Sequence, residues 1–196
     1  MSRVLVAMHY QNEVMHAAGK IKVGVAEKAG NRSTLVENAS RLLALARGAQ
    51  IPVVSVRIAF RPDYADVIPN CPIFRNVIAS KAMVDGSWGA EFHEGLGPTE
   101  NEFVVKHTRV NAFYGSQLEE ILRVLKADRL VMAGVATNSV VLTTVACAAD
   151  MGYEVTVVSD ACSSGNPALH ESSLENMRLV ADVVDLDTWA ARNWGA

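Results

Sequence analysis

Residues 129–152 read R-L-V-M-A-G-V-A-T-N-S-V-V-L-T-T-V-A-C-A-A-D-M-G. Leu130–Val135 is a continuous apolar run of strand length, bounded by Arg129 and by Thr137-Asn138. From Asn138 to Met151 the apolar residues recur at helical spacing, and Gly152 ends the pattern. A buried strand that turns straight into a helix is the unit of an α/β fold. The turn, Gly134-Val135-Ala136-Thr137-Asn138-Ser139, is a place where such enzymes often keep a nucleophile. No cysteine stands there; Ser139 is the one hydroxyl followed directly by two valines.

The same alternation extends in both directions. Arg3–Met8 is an apolar run suited to a strand buried on both faces. Asn31–Gln50 carries a helical stripe through Leu35, Ala39, Leu42, Leu43 and Ala46, and Val53–Val56 follows as a second strand. Glu102–Lys106, Arg129–Gly134, Glu154–Ser159 and Ala181–Leu186 read as strands, with helices over Ser116–Lys126 and Pro167–Leu179. The pattern predicts one three-layer, Rossmann-like α/β domain spanning residues 1–196. A six-stranded, mostly parallel sheet in the order 3-2-1-4-5-6 would carry helices on both faces. The segment 58–101, rich in Pro, Gly and Asn, breaks the alternation and reads as a lid or an interface arm.

Composition narrows the function. The chain has 196 residues, half of them hydrophobic, with a net charge of −3. The pI is near 5.9 and the mean hydropathy is +0.16. No basic stripe suggests nucleic acid. No apolar run approaches the ~20 residues of a membrane span. The surplus apolar surface suggests a homo-oligomer, a dimer or tetramer. Three cysteines without a CxxC motif, Cys71, Cys147 and Cys162, argue against a disulfide framework and for a cytoplasmic protein. Cys147, inside an apolar helical pattern, reads as a buried inert thiol. Neither G-x-G-x-x-G nor G-x-x-x-x-G-K-[ST] occurs, so no nucleotide cofactor is expected, and the partner is a small-molecule substrate.

Ligands of open α/β sheets bind beyond the carboxyl ends of the strands. There stand His9-Tyr10-Gln11-Asn12-Glu13, Lys106-His107-Thr108-Arg109, the 134–139 turn and Ser159-Asp160-Ala161-Cys162. In the order 3-2-1-4-5-6, His9 comes close to the 134–140 turn. His9 suits a general acid or base; its alternative is to cap a strand end. Lys106 and His107 are adjacent on a strand and point to opposite faces, so one at most reaches the site directly. The turn offers helix N-terminal N–H groups to an anion. Thr137, Asn138 and Ser139 are all capping residues, and capping outweighs a nucleophilic Ser139, which needs His9 as its base. Asp160 reads as a loop-holding carboxylate. His9, His16, His107 and Glu13 would have to cluster to hold a metal; no H-E-x-x-H type spacing supports one, and no metal is expected.

The succession H-Y-Q-N-E, K-H-T-R-V-N-A-F, G-V-A-T-N-S-V-V-L-T-T-V and G-Y-E-V-T-V-V-S-D-A-C resembles the isochorismatase-like hydrolases, also called cysteine hydrolases, from Val4 to about Trp189. Val84-Asp85-Gly86-Ser87-Trp88-Gly89-Ala90-Glu91 resembles their Gly-Trp-Gly loop. The resemblance implies the sheet order above, oligomeric assembly, and cleavage of a C–N bond in an amide or ureide, or of a vinyl ether. Amidases of that family use an Asp, a Lys and a Cys, and all three positions depart here. The Asp of Asp-x-Gln is His9, with Gln11 retained. Counting back four residues from Asn111-Ala112-Phe113, the Lys falls on His107; a one-residue slip would give Lys106. The Cys falls on Val140, and Ser139 sits one place early. The resemblance also implies a cis peptide between Val135 and Ala136. The zinc motif of the nicotinamidases is absent, with Arg57-Ile58-Ala59-Phe60 in its place.

These readings converge on hydrolysis by water without a covalent intermediate. His9 would be the acid or base, and His107 or Lys106 would supply charge or orientation. The backbone of Val135, Ala136, Thr137 and Ser139 would stabilise a developing anion beside Val140. Gln11, Trp88 and Phe113 would complete the substrate pocket. The alternatives are a binding protein that kept the pocket without turnover, and a Ser139 nucleophile.

Overall fold

The computed structural model describes residues 2–22, 24–25 and 29–192. Six strands form one sheet: β1 (Ser2–Met8), β2 (Val53–Ile58), β3 (Phe103–His107), β4 (Ala127–Gly134), β5 (Glu154–Val158) and β6 (Asp182–Val184). Their order is β3-β2-β1-β4-β5-β6 and every pairing is parallel. The apolar runs seen in the sequence are the buried central strands: Val4–Met8 and Leu130–Gly134 are buried throughout. Parallel strands need crossovers. The helices that supply them are α2 (Ala29–Gly48), α4 (Leu118–Val124), α5 (Leu142–Asp150) and α6 (Pro167–Met177).

The strand order reverses between β1 and β4, which places a crevice beyond their carboxyl ends. Two short helices close the topology near that end and at the chain's far end, α1 (Asn12–Met15) and α7 (Leu186–Ala190). Segment 58–101 is less irregular than its composition suggests. Pro72 opens the nine-residue helix α3 (Pro72–Ser80), where its missing N–H costs nothing. Ile73, Phe74 and Val77 of α3 contribute to the wall of a cavity over the crevice.

Side chains lock the strand ends. Tyr10 is buried and its hydroxyl donates to Ala161 O at 2.6 Å, tying the end of β1 to the segment after β5. Gln11 is buried with both ends of its amide satisfied. Its Nε2 donates to Ile58 O (2.9 Å) and Ala90 O (2.8 Å), and its Oε1 accepts from Ile58 N (2.9 Å). Asp160 holds a loop as expected, with Oδ1 accepting from Leu186 N at 2.8 Å. The three cysteines are free. Cys147 is only half-buried; Cys162 is the buried thiol, and burial pushes it up to about 12.

Candidate active site

His9 follows the last residue of β1, with its backbone in the left-handed region at φ +56°. Its N–H donates to Val56 O at 2.9 Å, so the main chain stays tied to β2 while the side chain leaves the sheet. His107 is the last residue of β3 and is buried. β1 and β3 are separated by β2, roughly 10 Å at ordinary strand spacing. The two imidazoles bridge that gap over the end of β2: His9 Nε2 and His107 Nε2 lie 2.5 Å apart.

The partners assign the protons. His107 Nδ1 faces Asn111 O at 3.3 Å, and a carbonyl can only accept, so this nitrogen carries the hydrogen. His107 Nε2 is then the acceptor, and His9 Nε2–H is the donor. The lone pair of a neutral His9 remains on Nδ1. Burial lowers His107 to about 4 and lowers His9 well below its ordinary value, and His107 adds to the effect on His9. A backbone hydrogen bond at Val135 opposes this shift by favouring protonated His9.

His9, Val135, Ala136, Ser139 and Val140 line one cavity of about 50 Å3. The rest of its wall is mainly aliphatic and aromatic, with Arg109 as the cation. Val140, at the position the resemblance gives to a nucleophile, is buried and offers only methyl groups. The peptide between Val135 and Ala136 is cis, as the resemblance implied.

Several sequence expectations need correction. Lys106 is not at the cavity. Strand alternation sends it to the face opposite His107, where Nζ meets Asp85 Oδ2 at 2.9 Å, and Asp85 Oδ1 also accepts from Arg57 Nη2 at 2.9 Å. Asp85 is held below the ordinary carboxylate range, chiefly by Lys106. The pair is part-exposed and worth little to stability. Lys106→Ala is therefore expected to leave turnover within about twofold of the parent, read as kcat/KM on a common substrate.

Gln11 is a structural clamp on β2, with no part in the cavity wall. Trp88 is 52% exposed and its ring meets the edge of His16 at 5.2 Å, also away from the wall. Phe113 stacks on Tyr153 at 6.3 Å and belongs to an outer groove with Tyr114 and Met151. Thr137 turns the other way too: its N–H donates to Ser163 O (2.8 Å) and its Oγ1 pairs with His170 Nδ1 (2.8 Å).

The helix after β4 does not start as a regular α-helix. Residues Thr137–Val141 form a π-helical turn that runs into α5, and no side chain caps it. Ser139 is thus not a cap, and its Oγ lies 3.4 Å from Ala136 O, its donor contact. The turn's N–H groups are largely used: Val135 by Met8 O, Thr137 by Ser163 O, Ser139 by Ala136 O. Of those in Val135–Thr137 and Ser139, the Ala136 N–H alone has no acceptor among the described residues.

Sequence reasoning missed Arg109 as a wall residue, along with the contributions of Val14, Ile21, Met83 and α3. Arg109 was visible in K-H-T-R at the end of β3, but its contact with α3 was not. No cluster of three or more His, Cys, Asp or Glu suited to a metal occurs among the described residues.

The comparisons agree with the fold. An isochorismatase family protein from Desulfovibrio vulgaris has the same fold, with a TM-score of 0.83, 29% identity, and coverage of 97% of this chain and 99% of that one. The isochorismatase family protein YecD of Escherichia coli O157:H7 is 29% identical over 160 residues, 80% of this chain and 83% of its own. The ureidoacrylate amidohydrolase RutB of Methylorubrum extorquens is 28% identical over 187 residues, 89% of this chain and 75% of its own. The family model for the isochorismatase domain matches residues 3–188, and the chain belongs to that family.

Proposed function

We propose that this protein is a small-molecule hydrolase that cleaves a C–N bond of an amide or ureide by acid–base chemistry, without a covalent intermediate. The observation that carries this reading is the His9–His107 pair beside the cavity, with Val140 where a nucleophile would stand. His9 Nδ1 takes a proton from water as the water oxygen bonds to the substrate carbonyl carbon. The Ala136 N–H donates to the developing oxyanion. His9 then returns the proton to the leaving nitrogen as the C–N bond breaks.

The lowered basicity of the pair disfavours the vinyl-ether alternative. Such a reaction needs an acid, and a pair kept neutral by burial has no proton to spare near neutral pH. The relationship to the ureidoacrylate amidohydrolase supports the amide or ureide class. A weak base also implies slow turnover.

The second reading, a binding protein without turnover, draws on the buried Val140. Pure protein incubated with a panel of short amides and ureides separates the two. Sustained release of amine or ammonia, with no mass added to the protein in quenched samples, is the expected result. Binding without turnover across the panel supports the second reading, and an acyl adduct on Ser139 overturns the non-covalent mechanism.

A further inference from the structure

The cavity wall carries a cation whose charge no carboxylate among the described residues answers. Arg109 stands two residues beyond His107 and lines the same cavity as His9. Its guanidinium lies over the Phe74 ring, 4.4 Å from the centroid. Nη2 donates to the neutral Asn70 Oδ1 at 3.3 Å. Nη1 is buried and has no hydrogen-bond partner among the described residues. No carboxylate among the described residues pairs with Arg109, whereas Arg47, Arg57, Arg61, Arg123 and Arg178 each meet one.

A part-buried guanidinium with an orphaned N–H is costly unless an anion joins it. Phe74 and α3 hold the plane of the group, so little side-chain freedom remains to be lost when a ligand arrives. A single cation in an aliphatic wall suits a monoanion with a small apolar body. A phosphate dianion would call for further donors, which this wall lacks.

We propose that Arg109 is the anion-recognising residue of this cavity and that its ligand is a short carboxylate with an apolar body. This rests on reading the cavity as the substrate site, and it narrows the substrate to an amide or ureide that also bears a carboxylate. Arg109 binds that carboxylate through charge-assisted hydrogen bonds and leaves the scissile bond to His9.

The test is equilibrium binding of two probes of matching shape, propionate and 2-butanone, by calorimetry and ligand-observed NMR at pH 7. Neither probe has a bond for the enzyme to hydrolyse. The full chain should bind propionate roughly tenfold more tightly than 2-butanone, the discrimination expected of one charge-assisted contact. Arg109→Gln should abolish that preference, and Arg109→Lys should retain part of it. Asn70 is exposed, so Asn70→Asp should fold normally and set an internal carboxylate against the guanidinium. It should weaken propionate roughly tenfold while leaving 2-butanone unchanged. Equal affinity for the two probes, no saturable propionate binding, or a preference that survives both Arg109→Gln and Asn70→Asp overturns the proposal. Because binding needs no chemistry, this result stands or falls separately from the loss of turnover expected when His9 is replaced.

Discussion

His9→Ala is expected to lower kcat by roughly a thousandfold, within the range for loss of a positioned general base. Two effects combine. The nitrogen that accepts the proton of water is removed, and His107 Nε2 loses its partner in a buried setting. His107 acts through His9, so it is a positioning residue and its variants should grade differently. His107→Gln keeps a carbonyl oxygen able to accept from His9 Nε2–H and should cost only about tenfold. His107→Leu removes the acceptor and should cost about a hundredfold, with KM little changed. The double variant His9→Ala/His107→Leu should be scarcely worse than His9→Ala, since both residues serve one proton transfer. Equal losses for His107→Gln and His107→Leu would show that the contact does not orient the base.

The pH dependence carries the same signature. Burial lowers both imidazoles, so the base form persists below neutrality and the acidic limb of kcat/KM should fall well under the 6.5 of a free histidine. Stability has the matching sign. Between about 6.5 and 4 the unfolded chain binds protons that the folded pair does not, so stability falls as the pH drops through that window. A kcat/KM limb at 6.5 or above would mean that the pair is solvated or charged in the working enzyme.

How far the sequence foretold this site depends on the kind of contact. The sheet order follows from apolar runs and helical stripes, and the near-continuous burial of Val4–Met8 and Leu130–Gly134 bears that reading out. The strand period sends Lys106 and His107 to opposite faces, but the sequence leaves open which of the two serves the site; the contacts of Lys106 with Asp85 and of His107 with His9 distinguish them. What spacing cannot reveal is who claims a backbone N–H. Ser163, more than twenty positions later in sequence, takes the Thr137 N–H and so removes it from the turn's anion-binding set. Arg109 escaped for a similar reason. Its meaning depends on Phe74, in a helix hidden within a segment whose composition reads as loop. Trp88 and Phe113 were assigned to the pocket through resemblance; in this chain Trp88 is exposed and Phe113 stacks on Tyr153 outside the cavity wall.

Gly134→Ala should destabilise the protein by about 3 kcal/mol or more, the range of backbone strain combined with overpacking. Gly134 has φ +151°, a region that residues with a side chain rarely adopt. It faces Met8 across the β1–β4 pairing. A Cβ there would stand 2.2 Å from Met8 O and 2.8 Å from Met8 Cβ, and the nearer of these belongs to the backbone of a central strand. Neither strand can retreat easily: Val135 N–H donates to the same Met8 O, and Ser163 N–H donates to Gly134 O at 3.4 Å. For a domain of this size the loss corresponds to a fall in Tm of roughly 10 °C. Gly48→Ala supplies the opposite sign. That glycine lies within α2, no atom stands within 4 Å of an added Cβ, and the substitution should raise stability by about 0.5–1 kcal/mol through helix propensity. Denaturant midpoints for the pair, with m-values unchanged, check both directions at once. The first substitution also moves the ground on which the site is built. Met8 is the residue before His9, and Gly134 is the residue before Val135 and Ala136 of the cavity wall, so any folded Gly134→Ala protein should lose turnover well beyond its loss of stability. A Gly134→Ala protein within about 0.5 kcal/mol of the parent and fully active would mean that the two strand ends can separate without disturbing the histidine pair.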